Sequence, residues 1–197
     1  MAGSPGAGKT EYSKSLLAYL IKNTSDRPIR IDSDELRGEI PGYTGENSSE
    51  MQGAVSILLS EMYDRALKNR QTAIIDGTLS HYGKAKENIE RSLKRNRQVL
   101  IFYIYQHPEV AWQFTVAREH IEGRNIPKRA FIEKFLGSKA TVNQIYREFS
   151  DRITLFLARK NFQTHAIETV EIVSPQHSGL DAYLPETYTE EELAKLL

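Results

Sequence analysis

The chain of 197 residues carries 26 Lys plus Arg against 26 Asp plus Glu, and 40% of it is apolar. This length and content predict one domain, or one domain with a small appendage, able to build a continuous core. Zero net charge argues against a dedicated polyanion binder, and the lack of any cysteine excludes disulfides, thiolate metal sites and cysteine nucleophiles. In chain order, Gly8 to Asn23 reads as a helix with Tyr12, Leu16, Leu17, Leu20 and Ile21 along one side. Ile29–Asp32 is a short strand after Pro28, and Gly38 to Ser49, with Pro41, Gly42, Gly45 and Asn47, is a loop by composition. A long helix runs from Ser49 to Asn69 on a stripe of Met51, Val55, Leu58, Met62 and Ala66, followed by a buried strand over Thr72–Ile75. Lys84 to Asn96 is helical and Gln98–Tyr105 is the strongest strand. Pro108 suits the first position of a helix reaching Ile121, which Gly123 breaks before the Ile126-Pro127 linker. One or two helices occupy Lys128–Phe149, and Ile153–Ala158 and Ala166–Val173 are strands. Thr189-Glu190-Glu191-Glu192 is a capping box opening a short terminal helix near 190–197. This alternation predicts an α/β fold, a mostly parallel sheet flanked by helices. The longest apolar runs, Leu16–Ile21 and Val99–Tyr105, fall short of the roughly 20 residues a bilayer demands. No apolar h-region opens the chain, so a cytoplasmic location without membrane contact is expected.

Gly3-Ser4-Pro5-Gly6-Ala7-Gly8-Lys9-Thr10 matches G-x-x-x-x-G-K-[ST] in full. Glycines let backbone N–H groups turn toward phosphate oxygens, and the helix that follows adds its positive end. Lys9 is then the contact to the β- and γ-phosphates, and the Thr10 hydroxyl a ligand of Mg²⁺. Only Met1 and Ala2 precede this loop, so the strand that such a loop ordinarily follows is expected to be missing, by truncation in preference to its being supplied by something else.

Phosphoryl transfer also needs a group to position the attacking hydroxyl and cations for the spreading charge. Asp32 and Asp34 follow the second predicted strand, and strand alternation puts both carboxylates on one side of its carboxyl end. One can take a proton while the other helps hold metal; the alternative is an Asp-rich turn or helix N-cap before Glu35-Leu36-Arg37. Asp76-Gly77-Thr78 repeats the arrangement, with a simple strand-ending turn as its alternative. Arg118 sits late on a helix whose stripe is Val110, Phe114, Ala117 and Ile121, and Arg124 follows past Gly123. Two arginines there suit a lid that closes on phosphate, while an Arg118–Glu122 pair on a solvated face is the other explanation.

Together these pieces resemble the zeta-toxin family of P-loop kinases. The resemblance is carried by Gly3–Thr10, by Ile31-Asp32-Ser33-Asp34-Glu35-Leu36-Arg37 followed by Pro41-Gly42-Tyr43, by Ile75-Asp76-Gly77-Thr78 and by the Arg118…Arg124 pair. It implies a P-loop NTPase fold in a single domain over residues 1–197, with a lid around 118–136. It also implies an ATP- and Mg²⁺-dependent kinase acting on the 3′-hydroxyl of UDP-N-acetylglucosamine, poisonous to cell-wall synthesis and neutralised by a small antitoxin covering the nucleotide site. On this resemblance Asp34 is the general base, Lys9, Arg118 and Arg124 serve the transferring phosphate, and Gly3, Ser4, Pro5, Gly6, Ala7, Gly8, Lys9 and Thr10 hold the nucleotide. Thr10 and Asp32 are assigned to metal, and Asp32, Arg37, Asp76 and Thr78 to the acceptor. Two departures bear on the acceptor: Asp76 stands where a longer Glu is expected, and Leu79-Ser80-His81 lacks the usual arginine. Transfer to another hydroxyl (a polynucleotide end, an antibiotic, another nucleotide) and non-catalytic nucleotide binding are the competing functions. The basic cluster Arg91, Lys94, Arg95 and Arg97 lies at a helix C-terminus, which its dipole explains without nucleic acid. The five histidines show no metal-ligand spacing. Trp112 is left between an adenine contact and internal packing.

Overall fold

The computed structural model describes residues 1–48, 50–122 and 126–197. Its helices are α1 Lys9–Asn23, α2 Ser33–Gly38, α3 Gln52–Lys68, α4 Tyr82–Leu93, α5 Pro108–Glu122, α6 Lys128–Phe149 and α7 Glu190–Leu196. Its strands are β1 Ile29–Asp32, β2 Ala73–Asp76, β3 Val99–Tyr105, β4 Ile153–Lys160 and β5 Ile167–Ile172. The chain divides into two compact units: Met1–Gly8, Thr78–Thr115 and Ile126–Leu197 form the first, Lys9–Gly77 and Val116–Asn125 the second.

In the first unit β3 and β4 pair in parallel from Val99↔Ile153 to Tyr105↔Arg159, and β5 adds to β4 antiparallel. Ala2 joins the same sheet through one parallel bridge to Tyr103. Its N–H donates to the Phe102 carbonyl (2.8 Å) and its carbonyl accepts from Ile104 N (2.9 Å). The strand expected to be missing is therefore represented by a single residue in register, which ties down the start of the glycine loop. Ile101, Tyr103, Leu155 and Leu157 meet Ile145, Tyr146 and Phe149 of α6 in the main core. Each such side chain removed from water contributes about 1.5–3 kcal/mol. α6 is one continuous helix over 22 residues, so the stretch that allowed one or two helices holds one. Near its start Phe131, Ile132 and Phe135 pack with Ala111 of α5 and Leu193 of α7, inside the stretch 118–136 expected as a lid. Trp112, partly buried, meets Phe131 edge-on with centroids 5.2 Å apart and packs against this cluster. After β5, Leu180 and Leu184 return to the main core. Asn143 Oδ1 accepts from Leu180 N (2.7 Å) and Lys139 Nζ donates to the Leu184 carbonyl (2.9 Å), so the return is pinned to α6. The capping box at Thr189 forms as the sequence predicts.

In the second unit β1 and β2 pair in parallel, with Asp32 the register partner of Asp76. Ile31, Tyr63 and Leu67 form its core, joined by Ile29, Leu36, Leu59 and Met62. The buried face of α3 thus differs from the expected stripe: Val55 and Ala66 are buried, but Leu58 is exposed and Tyr63 and Leu67 lie inside. α1 buries its polar Ser13 fully, whereas Ile21 of its expected apolar side is exposed. Packing of the neighbouring elements, rather than summed hydrophobicity, selects the face in both helices.

Candidate functional site

In the first unit, the loop Gly3–Gly8 turns where only glycine fits. Gly3 has φ +133° and a Cβ there would lie 2.4 Å from the Ile104 carbonyl; Gly6 has φ +69° and its Cβ would lie 2.0 Å from the Ala111 carbonyl. Ser4, Pro5 and Ala7 are buried, with Ala7 N donating to the Ser4 carbonyl (3.3 Å). The base of the loop is fixed by a residue the sequence does not single out. Ser138 of α6, wholly buried, accepts from Gly3 N (2.9 Å) and donates to the Thr78 carbonyl (2.7 Å). Gly3 N also reaches that carbonyl (3.2 Å). Thr78 bonds Ser80 through their hydroxyls (2.9 Å), and Leu79 between them holds φ +53°. A left-handed leucine is strained by about 1–3 kcal/mol, and such residues cluster at binding sites.

The second unit gathers the charged groups. Lys9 and Thr10 open α1, and one turn on Ser13 donates to Asp76 Oδ2 (2.6 Å) and to the Thr10 carbonyl (3.0 Å). Arg30 lies on β1 two residues before Asp32, hence on the same side. Its Nη1 donates to Asp32 Oδ2 (2.5 Å) and Asp76 Oδ2 (2.8 Å), and its Nη2 to Glu35. Burial works against the Arg30 charge, but the bond to Asp32 and the charges of Asp32, Glu35 and Asp76 raise its pKa overall. Asp32 Oδ1 accepts from Asp34 N (2.7 Å), so Asp32 caps α2. This corrects the expectation for Asp34: it sits in the first helical turn of α2, not on the strand, because Asp32 starts the helix immediately. Asp34 is partly exposed and accepts from Arg37 Nη1 (2.9 Å). Arg37 is buried, with Nη2 donating to Gln52 Oε1 (3.0 Å), and so reaches Asp34 from inside the unit.

Burial lowers the Lys9 ammonium to about 8, against the Asp76 and Asp34 carboxylates that raise it; the Arg118 charge lowers it further. Lys9, Asp34, Asp76 and Arg118 therefore share one electrostatic neighbourhood. Arg118 is half-buried on α5. Arg124 and Gly123 lie outside the described residues, as does the side chain of Glu122. Of the expected stripe on α5, Val110 is buried but Phe114 and Ala117 are exposed; the inward positions are Ala111 and Thr115, small enough to admit Gly6. Among the described residues no three His, Asp or Glu are grouped to hold a metal. Magnesium commonly takes one or two protein oxygens beside substrate phosphates, a donor set that Thr10 fits. Asp32 has one oxygen on Arg30 and the other on the α2 N-terminus.

Sequence reasoning passed over Arg30, Ser13 and Ser138. Arg30 carried a signal, a lone cation between Ile29 and Ile31 at the alternation of Asp32. Ser13 lies three residues after Thr10, the helical spacing for the same face. Ser138 gave none, since its partners are 135 and 60 residues away.

A family model described as zeta toxin matches residues 1–169. The fold is similar to a solved structure from the molecular and structural characterization of the PezAT chromosomal toxin-antitoxin system of Streptococcus pneumoniae. That likeness has a TM-score of 0.68 at 16% identity and covers 99% of this chain and 80% of that one.

Proposed function

The chain belongs to the zeta toxin family of P-loop kinases, and from that premise we propose that it transfers the γ-phosphate of ATP to a hydroxyl of a nucleotide sugar. The acceptor we assign is the 3′-hydroxyl of UDP-N-acetylglucosamine. The observation that carries the reading is the shared neighbourhood of Lys9, Asp34, Asp76 and Arg118 in one unit. Lys9 draws the transferring phosphate, and Asp34, partly exposed and steadied by Arg37, accepts the proton of the attacking hydroxyl. Arg118 stabilises charge as it spreads over the phosphoryl oxygens, with Arg124 as its proposed companion. Asp76, fixed by Ser13 and Arg30, is the proposed contact to the sugar, with Thr78 two residues further along the chain. Thr10 would hold Mg²⁺, which supplies neutralisation of the β- and γ-phosphate charge when bound. Asp32 shapes this group by placing Arg30 and α2 and has no necessary bond to the metal. An antitoxin protein covering the nucleotide site is the proposed partner.

The deciding experiment incubates the protein with ATP, Mg²⁺ and a panel of nucleotide sugars and reads the products by mass. A gain of one phosphoryl group on UDP-N-acetylglucosamine, abolished in Lys9→Ala, is expected. A product on a different acceptor would replace the substrate assignment, and no transfer to any acceptor would defeat the kinase reading.

A further inference from the structure

The first unit brings three segments distant in sequence to one buried hydroxyl. Ser138 Oγ on α6 accepts from Gly3 N (2.9 Å) and donates to the Thr78 carbonyl (2.7 Å), and Gly3 N also reaches that carbonyl (3.2 Å). The three groups close a small ring of hydrogen bonds in which the hydroxyl is donor and acceptor at once. A serine inside a helix ordinarily turns its hydroxyl to solvent or back to a carbonyl of the preceding turn. Ser138, with no exposed surface, instead commits both functions to backbone 135 and 60 residues away. One partner opens the glycine loop and the other opens the turn Thr78–Ser80.

Both segments are fitted to this hydroxyl. A Cβ on Gly137, the residue before it, would lie 3.4 Å from the Ser80 carbonyl, so the α6 backbone runs close beside the turn. Leu79 holds φ +53° while its side chain packs on the main core, and Thr78 and Ser80 join their hydroxyls (2.9 Å). Such a left-handed leucine persists only where its surroundings over-determine it. On the other side Ala2 is in register with Tyr103, and the Ile104 carbonyl lies 2.4 Å from the place of a Gly3 Cβ. Gly3 is thus held between β3 and Ser138.

Transfer of a phosphoryl group requires the reacting atoms to be held about 3–3.5 Å apart. A glycine loop and a separate turn, each fixed only to its own ligand, leave that separation free. We infer that Ser138 is the positioning residue that sets the turn Thr78–Ser80 against the phosphate loop, so that filling the loop orders the turn and aligns the acceptor it holds. Phosphate held by N–H groups further along the loop restrains Gly3, and through Ser138 Oγ the restraint reaches Thr78. Without the hydroxyl, Gly3 N and the Thr78 carbonyl keep only their longer mutual contact. The inference rests on the kinase reading for the acceptor, whereas the linkage between loop and turn needs phosphate binding alone.

The test follows hydrogen–deuterium exchange of the full chain with Mg²⁺, with and without inorganic tripolyphosphate, in the wild type, Ser138→Ala and Ser138→Cys. In the wild type tripolyphosphate should slow exchange at Thr78–Ser80 about fivefold or more, alongside the glycine loop. In Ser138→Ala the glycine loop should still be protected, but the turn by less than about twofold. Cysteine fills similar space with a weaker donor, so it keeps the site occupied where alanine unsettles the fold and should show a smaller loss of the same kind. A second readout is the ratio of phosphorylated UDP-N-acetylglucosamine to free phosphate released from ATP, which does not depend on how much protein is folded. Misplacement by about an ångström costs transfer about a hundredfold, while attack by water does not use the turn. The ratio should therefore fall about tenfold or more in Ser138→Ala, with ATP affinity within about threefold. Equal protection of the turn in wild type and Ser138→Ala, or an unchanged ratio, would overturn the inference. A wild type that protects the turn but phosphorylates no acceptor would defeat the kinase reading and leave the linkage standing. A wild type whose glycine loop tripolyphosphate does not protect would overturn the phosphate-loop reading and the inference with it.

Discussion

Asp34 and Arg118 are where the chemistry is most exposed to test at the scale of a side chain. Asp34→Asn keeps the shape that Arg37 recognises but removes the proposed proton acceptor, so kcat should fall by about two orders of magnitude or more. ATP affinity, measured by titration, should change little; its collapse would make Asp34 a metal-binding residue. On the proposed role, in which its bonds strengthen only as charge spreads in the transition state, Arg118→Ala should lower kcat by about 10³-fold with a much smaller change in KM. Lysine at that position keeps the charge without the planar fork and should recover little. Near-normal kcat in Arg118→Ala would return the residue to a solvated face. The roles of Asp32 and Arg37 illustrate what a sequence leaves open. Asp32 was expected to help hold metal, and in the fold its two oxygens take Arg30 Nη1 and Asp34 N, so it caps α2. Arg37, expected at the acceptor, is buried and donates to Asp34. A carboxylate's type is visible in the sequence, while the donors that occupy its oxygens are set by tertiary neighbours.

The pairing of β1 with β2 puts two carboxylates in register at one strand end, and Arg30 is what makes that tolerable. Removing one partner of a buried ion group costs about 3–5 kcal/mol, since the charges left behind lose their compensation. Arg30→Met, similar in reach but uncharged, should therefore cost that much in chemical denaturation, with activity lost alongside; a change below about 1 kcal/mol would show that the cluster is hydrated and loosely coupled. Elements with strong periodicity or punctuation were legible: β1, β3, β4 and the capped α7 stand close to where residue pattern puts them. The buried faces of α1 and α5 were not, because each turns small or polar residues inward; that of α3 was not, because Tyr63 and Leu67 rather than Leu58 pack on Ile31. Ser13 serves Asp76, and Ala111 and Thr115 make room for Gly6. Hydrophobic patterning sees only the apolar fraction of such a face.

For the molecule as a whole, the proposed phosphate contact at Lys9 would link nucleotide binding to pH. Its pKa near 8 in the folded protein lies below the ordinary 10.5. A cation with a lowered folded pKa weakens the fold below about pH 8, where it is charged in both states, and that cost fades as pH rises toward 10.5. Phosphate oxygens beside the ammonium reverse the shift, so a triphosphate should bind with uptake of a proton between about pH 8 and 9 and with falling affinity as pH increases. Calorimetry at pH 8.5 in buffers of different ionisation enthalpy reads that proton directly; binding heats that do not depend on the buffer would dismiss the coupling.

The return of the chain to α6 after β5 bears on where this protein can be cut. The zeta toxin match ends at residue 169, yet Leu180, Leu184 and Leu193 lie beyond it and are buried. Three leucines at about 1.5–3 kcal/mol each amount to much of the 5–15 kcal/mol that holds an ordinary domain together. A fragment trimmed to the family boundary should thus be insoluble or melt near growth temperature, as differential scanning fluorimetry would register, whereas a fragment ending at Leu197 should not. Soluble, cooperatively melting protein from residues 1–169 would show those leucines to be dispensable. Otherwise the limit drawn by common ancestry and the limit drawn by autonomous folding are different places in this chain, the second no earlier than Leu193.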